Sequence, residues 1–120
     1  MKTQQATHVR WNDLPRERVG EKIERRYVTG VHLTLAQFHL ARGCLVATHE
    51  HESEQFVNVV AGKLRLRMGA EAVDVAAGEV LMIPPHLPHS AEALEDSIVF
   101  DAFSPTRKDW IEKRDDYFRR

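Results

Sequence analysis

The chain has 120 residues, 42% of them apolar, which suffices for one core and leaves little for a second. Its net charge of −1 and scattered Lys and Arg argue against nucleic acid or a charged membrane surface as partners. No apolar run reaches the length of a membrane span, and the single Cys44 rules out an internal disulfide.

The first residues, Met1 to His8, are polar and carry no signal-peptide core, so a cytoplasmic protein is expected. Trp11 to Pro15 reads as a turn anchored by an aromatic residue, and Arg25 to Val28 as a first short strand. From Val31 the pattern becomes β: Val31, Leu33 and Leu35 alternate with polar or small residues. Phe38 and Leu40 take the opposite parity, which predicts a bulge or a change of face. Cys44 to Thr48 is a short apolar strand after Gly43, and Phe56 to Val60 another. Ala61-Gly62-Lys63 reads as a tight hairpin turn into Leu64, Leu66 and Met68. Gly69 and Gly78 punctuate the strands around Val73 and Val75 and around Val80 to Ile83, the latter stopped by Pro84-Pro85. Ser97 to Phe103 is a last strand, and Ser104-Pro105 carries the signature of a helix start, Ser as N-cap and Pro at the first helical position. About eight short strands with glycine turns and almost no helix predict a sandwich or barrel.

The chemistry gathers at His49, His51 and Gln55. In an extended strand alternate side chains share a face, so these three have one parity. Two imidazoles and a nearby amide oxygen form a metal-ligand set. A His-x-His pair alone has little weight, since about 0.4 are expected by chance at this composition. A second signal is Asp101, inside the apolar run Ile98 to Phe103: a buried carboxylate is costly unless partnered, and such groups mark functional sites.

Read with their glycines, Gly43, His49, His51, Gln55 and Gly62 resemble the first signature motif of the cupin superfamily, and Gly78, Pro84 and His89 the second. That resemblance implies an all-β, single-domain jelly-roll barrel over 1–120, with a core at about 26–103, an N-terminal arm at 1–25 and a C-terminal helix or tail at 104–120. It implies one divalent transition metal (Ni, Zn, Fe, Mn or Co) held by His49, His51, Gln55 and His89. The chain departs from the pattern at Gln55, where the family has Glu, at His86, where it has Gly, and at Ala93, where it has Asn. A neutral Gln leaves the ion its full charge, which favours Lewis-acid chemistry on an anionic oxygen substrate over dioxygen chemistry.

The tail from Pro85 to Asp96 and from Asp101 to Arg107 is similar to the KdgF-type cupins, which open the ring of 4,5-unsaturated uronates released from pectin or alginate. The resemblance implies catalytic roles for Asp101, Phe103 and Arg107: proton transfer, packing on the sugar ring, and capture of the carboxylate. The rival readings are an iron-dependent dioxygenase and a non-catalytic module for a metal or small anion. His86 reads as an exposed loop residue, His32 and His39 as structural strand residues, and His8 as solvated. The partners expected are a small acidic substrate and a second copy of the chain, formed by strand exchange or sheet packing.

Overall fold

A computed structural model describes residues 5–119. Among these described residues ten strands form two antiparallel sheets, with a single short α-helix near the C-terminus. After a 3-10 turn at Trp11–Asp13 come β1 (Glu17–Gly20), β2 (Ile23–Thr29), β3 (Thr34–Leu40), β4 (Leu45–His49) and β5 (Glu54–Ala61). They are followed by β6 (Lys63–Met68), β7 (Glu71–Ala76), β8 (Glu79–Ile83), β9 (His89–Ala93), β10 (Ser97–Ser104), α1 (Lys108–Ile111) and a 3-10 turn at Asp116–Arg119. One sheet has the order β1-β2-β3-β10-β5-β8 and the other β4-β9-β6-β7. The two curve over one another as a jelly-roll barrel.

Period-two alternation fills the interior. On β5 and β10 the inward side chains include Val57, Val59 and Val99, each at most 1% exposed. Leu64, Leu66, Val75 and Ala93 meet them from the smaller sheet. Each of these Val and Leu side chains contributes about 1.5–3 kcal/mol on burial, and Ala93 less.

On β3 the buried set is Thr34, Ala36, Phe38 and Leu40, in one unbroken register. No bulge separates two faces. Val31 and Leu33 precede the strand and are exposed, and Leu35 points outward at 40% exposure. The switch of apolar parity at Phe38 therefore marks neither a bulge nor a change of face: the alternation at 31–35 belongs to an outer face that is itself apolar. Gly62 lies at φ +85, but β5 and β6 belong to different sheets, so it turns a corner between sheets and closes no hairpin. A Cβ there would sit 2.3 Å from the Asp96 carbonyl oxygen, so only Gly fits. The hairpin turn lies at Gly69, where β6 pairs with β7.

The expected helix start at Ser104 is also displaced. Ser104 ends β10, still paired with Glu54, and the Ser104–Pro105 bond is cis. The helix begins only at Lys108, after Arg107. Two strands escaped the sequence reading: β1, in a charged stretch, and β9, whose run His89-Ser-Ala-Glu-Ala93 lacks large apolar residues.

The C-terminal segment folds back across one end of the barrel. Trp110 is fully buried, and Tyr117 and Phe118 are 7% and 8% exposed. Arg25 anchors them from β2. Its guanidinium is 1% exposed, pairs with Asp115 at 2.8 Å and with Glu17 at 3.0 Å, and lies 4.3 Å from the centre of the Trp110 ring. A buried arginine needs such carboxylate and aromatic partners.

Candidate metal centre

The site forms where the two sheets meet at the end covered by that segment. His49 closes β4 and faces His89, the first residue of β9, in direct register. His51 lies in the loop between β4 and β5, and Gln55 is the second residue of β5, in the other sheet. The regular strand imagined through His49, His51 and Gln55 does not exist. The chain leaves one sheet after His49 and enters the other at Glu54, yet the side chains still converge. One nitrogen from each of His49, His51 and His89 lies within 4.8 Å of the others.

The hydrogen bonds settle which nitrogens are available. His49 Nδ1 donates to the Ala47 carbonyl, His51 Nδ1 to that of Ser53 and His89 Nδ1 to that of Leu87, all at 2.8 Å. Each imidazole is thereby held as the Nδ1–H tautomer with the Nε2 lone pair free, and backbone partners of this kind orient metal-ligating histidines. Burial pushes the His49 pKa down to about 3 and that of His51 down to about 4, and lowers His89 as well. The rings are neutral at physiological pH, as ligands must be.

Two observations test whether a cation fits. His89 Nε2 is buried and has no hydrogen-bond partner, a costly state in an empty protein interior. Gln55 Oε1 stands 3.0 Å from His51 Nε2, and with the proton of His51 on Nδ1 both atoms are acceptors. The orientation of the Gln55 amide follows from its other bond, in which Nε2 donates to Asp101 Oδ2 at 3.1 Å. Converging lone pairs without a proton among them can hold a cation, and three imidazoles suit a divalent transition metal.

Asp101 is the central residue of β10, 6% exposed, and its Oδ1 has no partner. Burial raises its pKa to about 7, against the opposing influence of the Gln55 bond and of Arg107. Phe103, two residues on and on the same face, is 2% exposed and packs edge-on against His51 and Trp110. Arg107 is 2% exposed, so it is no solvated helix-start residue; its guanidinium lies 4.7 Å from the Phe103 ring centre. It donates to both oxygens of Asp109, at 2.9 and 2.7 Å, and to the Tyr117 hydroxyl. Those bonds hold the Asp109 carboxyl below its usual range although burial pushes it up.

Asp101, Gln55, His89, Phe103 and Arg107 thus share one cavity of ≈ 50 Å³. His86 is exposed on the loop before β9 at φ +63, a position where glycine is at ease. His39 lies on the outer face of its sheet beside Gln37, away from the cavity, and His32 and His8 are exposed. Sequence reasoning missed Tyr117, whose ring is stacked on His49 at 4.2 Å and 12°, and the pairing of Asp109 with Arg107. The available signal was an aromatic pair, Tyr117-Phe118, in an otherwise charged tail.

The comparisons with known proteins agree with this geometry. Residues 36–102 match the family model described as the cupin domain. KdgF from Halomonas sp. is 30% identical, with a TM-score of 0.77 over 82% of this chain and 94% of that one. An RmlC-like cupin from Shewanella frigidimarina is 25% identical, with a TM-score of 0.80 over 90% and 99%. The oxalate decarboxylase OxdC of Bacillus subtilis shares the fold at 22% identity and a TM-score of 0.73, over 88% of this chain and 30% of that one. No curated protein matches the chain.

Proposed function

The chain belongs to the cupin family, and from that premise we propose that it is a metal-dependent enzyme converting 4,5-unsaturated uronates to their linear keto form. The observation that carries this reading is the convergence of the His49, His51 and His89 imidazoles beside one cavity that His49, His89, the buried Asp101 carboxylate and the buried Arg107 guanidinium line. The similarity to KdgF supports it. His49, His51, His89 and Gln55 would hold one divalent ion, which supplies Lewis acidity toward a substrate oxygen when bound.

The reaction is an isomerisation. The bond from carbon 1 to the ring oxygen breaks as the carbon 1 hydroxyl gives up its proton and becomes an aldehyde; the ring oxygen takes a proton and becomes an enol hydroxyl, which then loses its proton while carbon 4 gains one, so atoms and electrons balance without a redox partner. Asp101 Oδ1, buried in the cavity and without a partner, is the group that moves this proton as general acid and base. Gln55 Nε2 holds the other carboxylate oxygen and so fixes the direction of Oδ1. Arg107 binds the substrate carboxylate with a planar fork that matches it. Phe103 forms the apolar wall on which the sugar ring packs and from which water is excluded.

The reading includes a homodimer formed on the outer face of the larger sheet. There Val28, Leu35, Ala102, Phe56 and Met82 stand side by side on five neighbouring strands. Leu35, Phe56 and Met82 are 40%, 40% and 64% exposed, a contiguous apolar row of the kind that marks an interface.

The test is the absorbance of the conjugated double bond. Metal-loaded protein should accelerate its loss from an unsaturated uronate, and protein stripped by a chelator should not. Equal decay with and without protein would sink the reading.

A further inference from the structure

Two hollows meet at the metal centre. The inner one is the ≈ 50 Å³ cavity that contains Asp101, Gln55 and His89. The outer one is a surface cleft of ≈ 460 Å³ between the loop that carries His51 and the start of the C-terminal segment. His49 and Arg107 line both, and Tyr117 lines the outer one. A space of the inner size holds about four waters, far less than a hexuronate. The outer cleft is large enough for a sugar, but none of Asp101, Gln55 and His89 lines it.

Tyr117 stands on the boundary. Its ring covers His49, and its hydroxyl accepts from Arg107 and from Trp110 Nε1 at 3.2 Å and donates to Asp109 at 3.3 Å. Asp109 meanwhile fills the fork of Arg107 with both carboxylate oxygens, the place a ligand carboxylate would take.

We propose that Tyr117 is a gate between the two hollows, and that a carboxylate-bearing ligand opens it by replacing Asp109 on Arg107. The asymmetry of burial supports an exchange. The Asp109 side chain is 22% exposed and can turn to water, whereas Arg107, at 2%, cannot be left without an anion. Losing Asp109 removes one of the three bonds that hold the Tyr117 hydroxyl and releases the guanidinium that makes another. The rest of the segment stays in place, because Trp110 is fully buried and the Arg25–Asp115 pair holds the chain just before Tyr117. The motion required is therefore that of one side chain and the Asp109 carboxylate, not of the whole segment.

The proposal rests on the metal-centre part of the reading above and not on the reaction, so its test uses metal exchange instead of turnover. Full-length protein is loaded with Co(II), and uptake of the ion and its removal by 1,10-phenanthroline, a neutral chelator, are timed in stopped flow. Tyr117→Ala should raise both rates about tenfold while the dissociation constant stays within a factor of two, because a gate changes access and not affinity. Tyr117→Phe, which keeps the ring and loses the hydroxyl bonds, should raise both by less, and Asp109→Asn likewise. D-galacturonate should accelerate removal from the wild type relative to chloride of equal ionic strength. Unchanged rates in all three variants would overturn the gate, as would faster release with a proportionate loss of affinity, which marks a merely structural role. No effect of D-galacturonate would overturn the carboxylate exchange. Should Tyr117→Ala not fold, the two milder variants decide the matter. A failed ring-opening assay beside a positive exchange result would reject the uronate and leave the gate standing.

Discussion

The amide oxygen of Gln55 faces His51 Nε2 at 3.0 Å, two acceptors with no proton between them. The pair makes sense with a cation beside it, and it binds Gln55 to the metal centre and to Asp101 at once.

Replacing that amide separates its two roles. Gln55→Glu adds a negative charge beside the three imidazoles, so affinity for a divalent ion should rise. The bond donated to Asp101 is lost and two carboxyl groups then face each other, so turnover of an unsaturated uronate should fall at least tenfold. Gln55→Ala should lower affinity about 10–100-fold, the usual cost at a metal site that loses a supporting partner. Competition with a chromophoric chelator measures both affinities.

Asp101→Asn keeps the shape of the side chain and removes its capacity to take a proton. Turnover should fall about 10²–10⁴-fold, the range for loss of a general acid or base, with metal content unchanged by elemental analysis. Arg107→Lys should instead raise KM more than it lowers kcat, because Lys keeps the charge and loses the fork. Turnover of Asp101→Asn equal to the wild type would remove Asp101 from the mechanism.

Without metal, the protein should lose stability on acidification. His49, His51 and His89 have lowered pKa values in the fold, so from about pH 6.5 downward the unfolded chain takes up protons that the folded one refuses. Asp101 works in the opposite sense. Its raised pKa stabilises the fold at low pH, a gain that is lost as pH rises from about 4 through 7. His49 and His51, lowered to about 3 and about 4, already outweigh Asp101 and leave a net loss between pH 6.5 and 4, with an upper limit of about 1.4 kcal/mol per pH unit per unopposed group and less where solvent reaches these half-buried rings. Urea titrations of metal-free protein at pH 7 and pH 5 should show the lower midpoint at pH 5; a higher one would reverse the sign.

The apolar row through Leu35, Ala102 and Phe56 should hold two copies together. Light scattering behind size exclusion should give a dimer for the wild type and a monomer for Phe56→Asp, with the metal site intact in both. A wild-type monomer at tens of micromolar would refute this interface.

How far the sequence spoke depended on what each signal required. His49, His51, Gln55 and His89 stood out because their spacing survives whatever the local backbone does, and they do converge, although no single strand carries them. Asp101 stood out as a carboxylate inside an apolar run, and Phe103 through the family resemblance; one regular strand puts both on the same face. Where the reading failed, packing outside the local window decided. Val31, Leu33 and Leu35 are as apolar as Ala36, Phe38 and Leu40, so alternation alone could not tell the inner face from an apolar outer one. Nothing in sequence order told that Arg25, Trp110 and Asp115 would join into one cluster, or that Tyr117 would lie on His49.

The most direct measurement of the central claim is a crystal structure of the protein loaded with Zn(II) or Co(II), with the ion located by anomalous scattering. One ion per chain should appear, bound by the Nε2 atoms of His49, His51 and His89 at about 2.0–2.1 Å with the Gln55 amide oxygen beside it. An ion held elsewhere, ligation through Nδ1, or no stoichiometric uptake would rule out a metal centre at these three histidines.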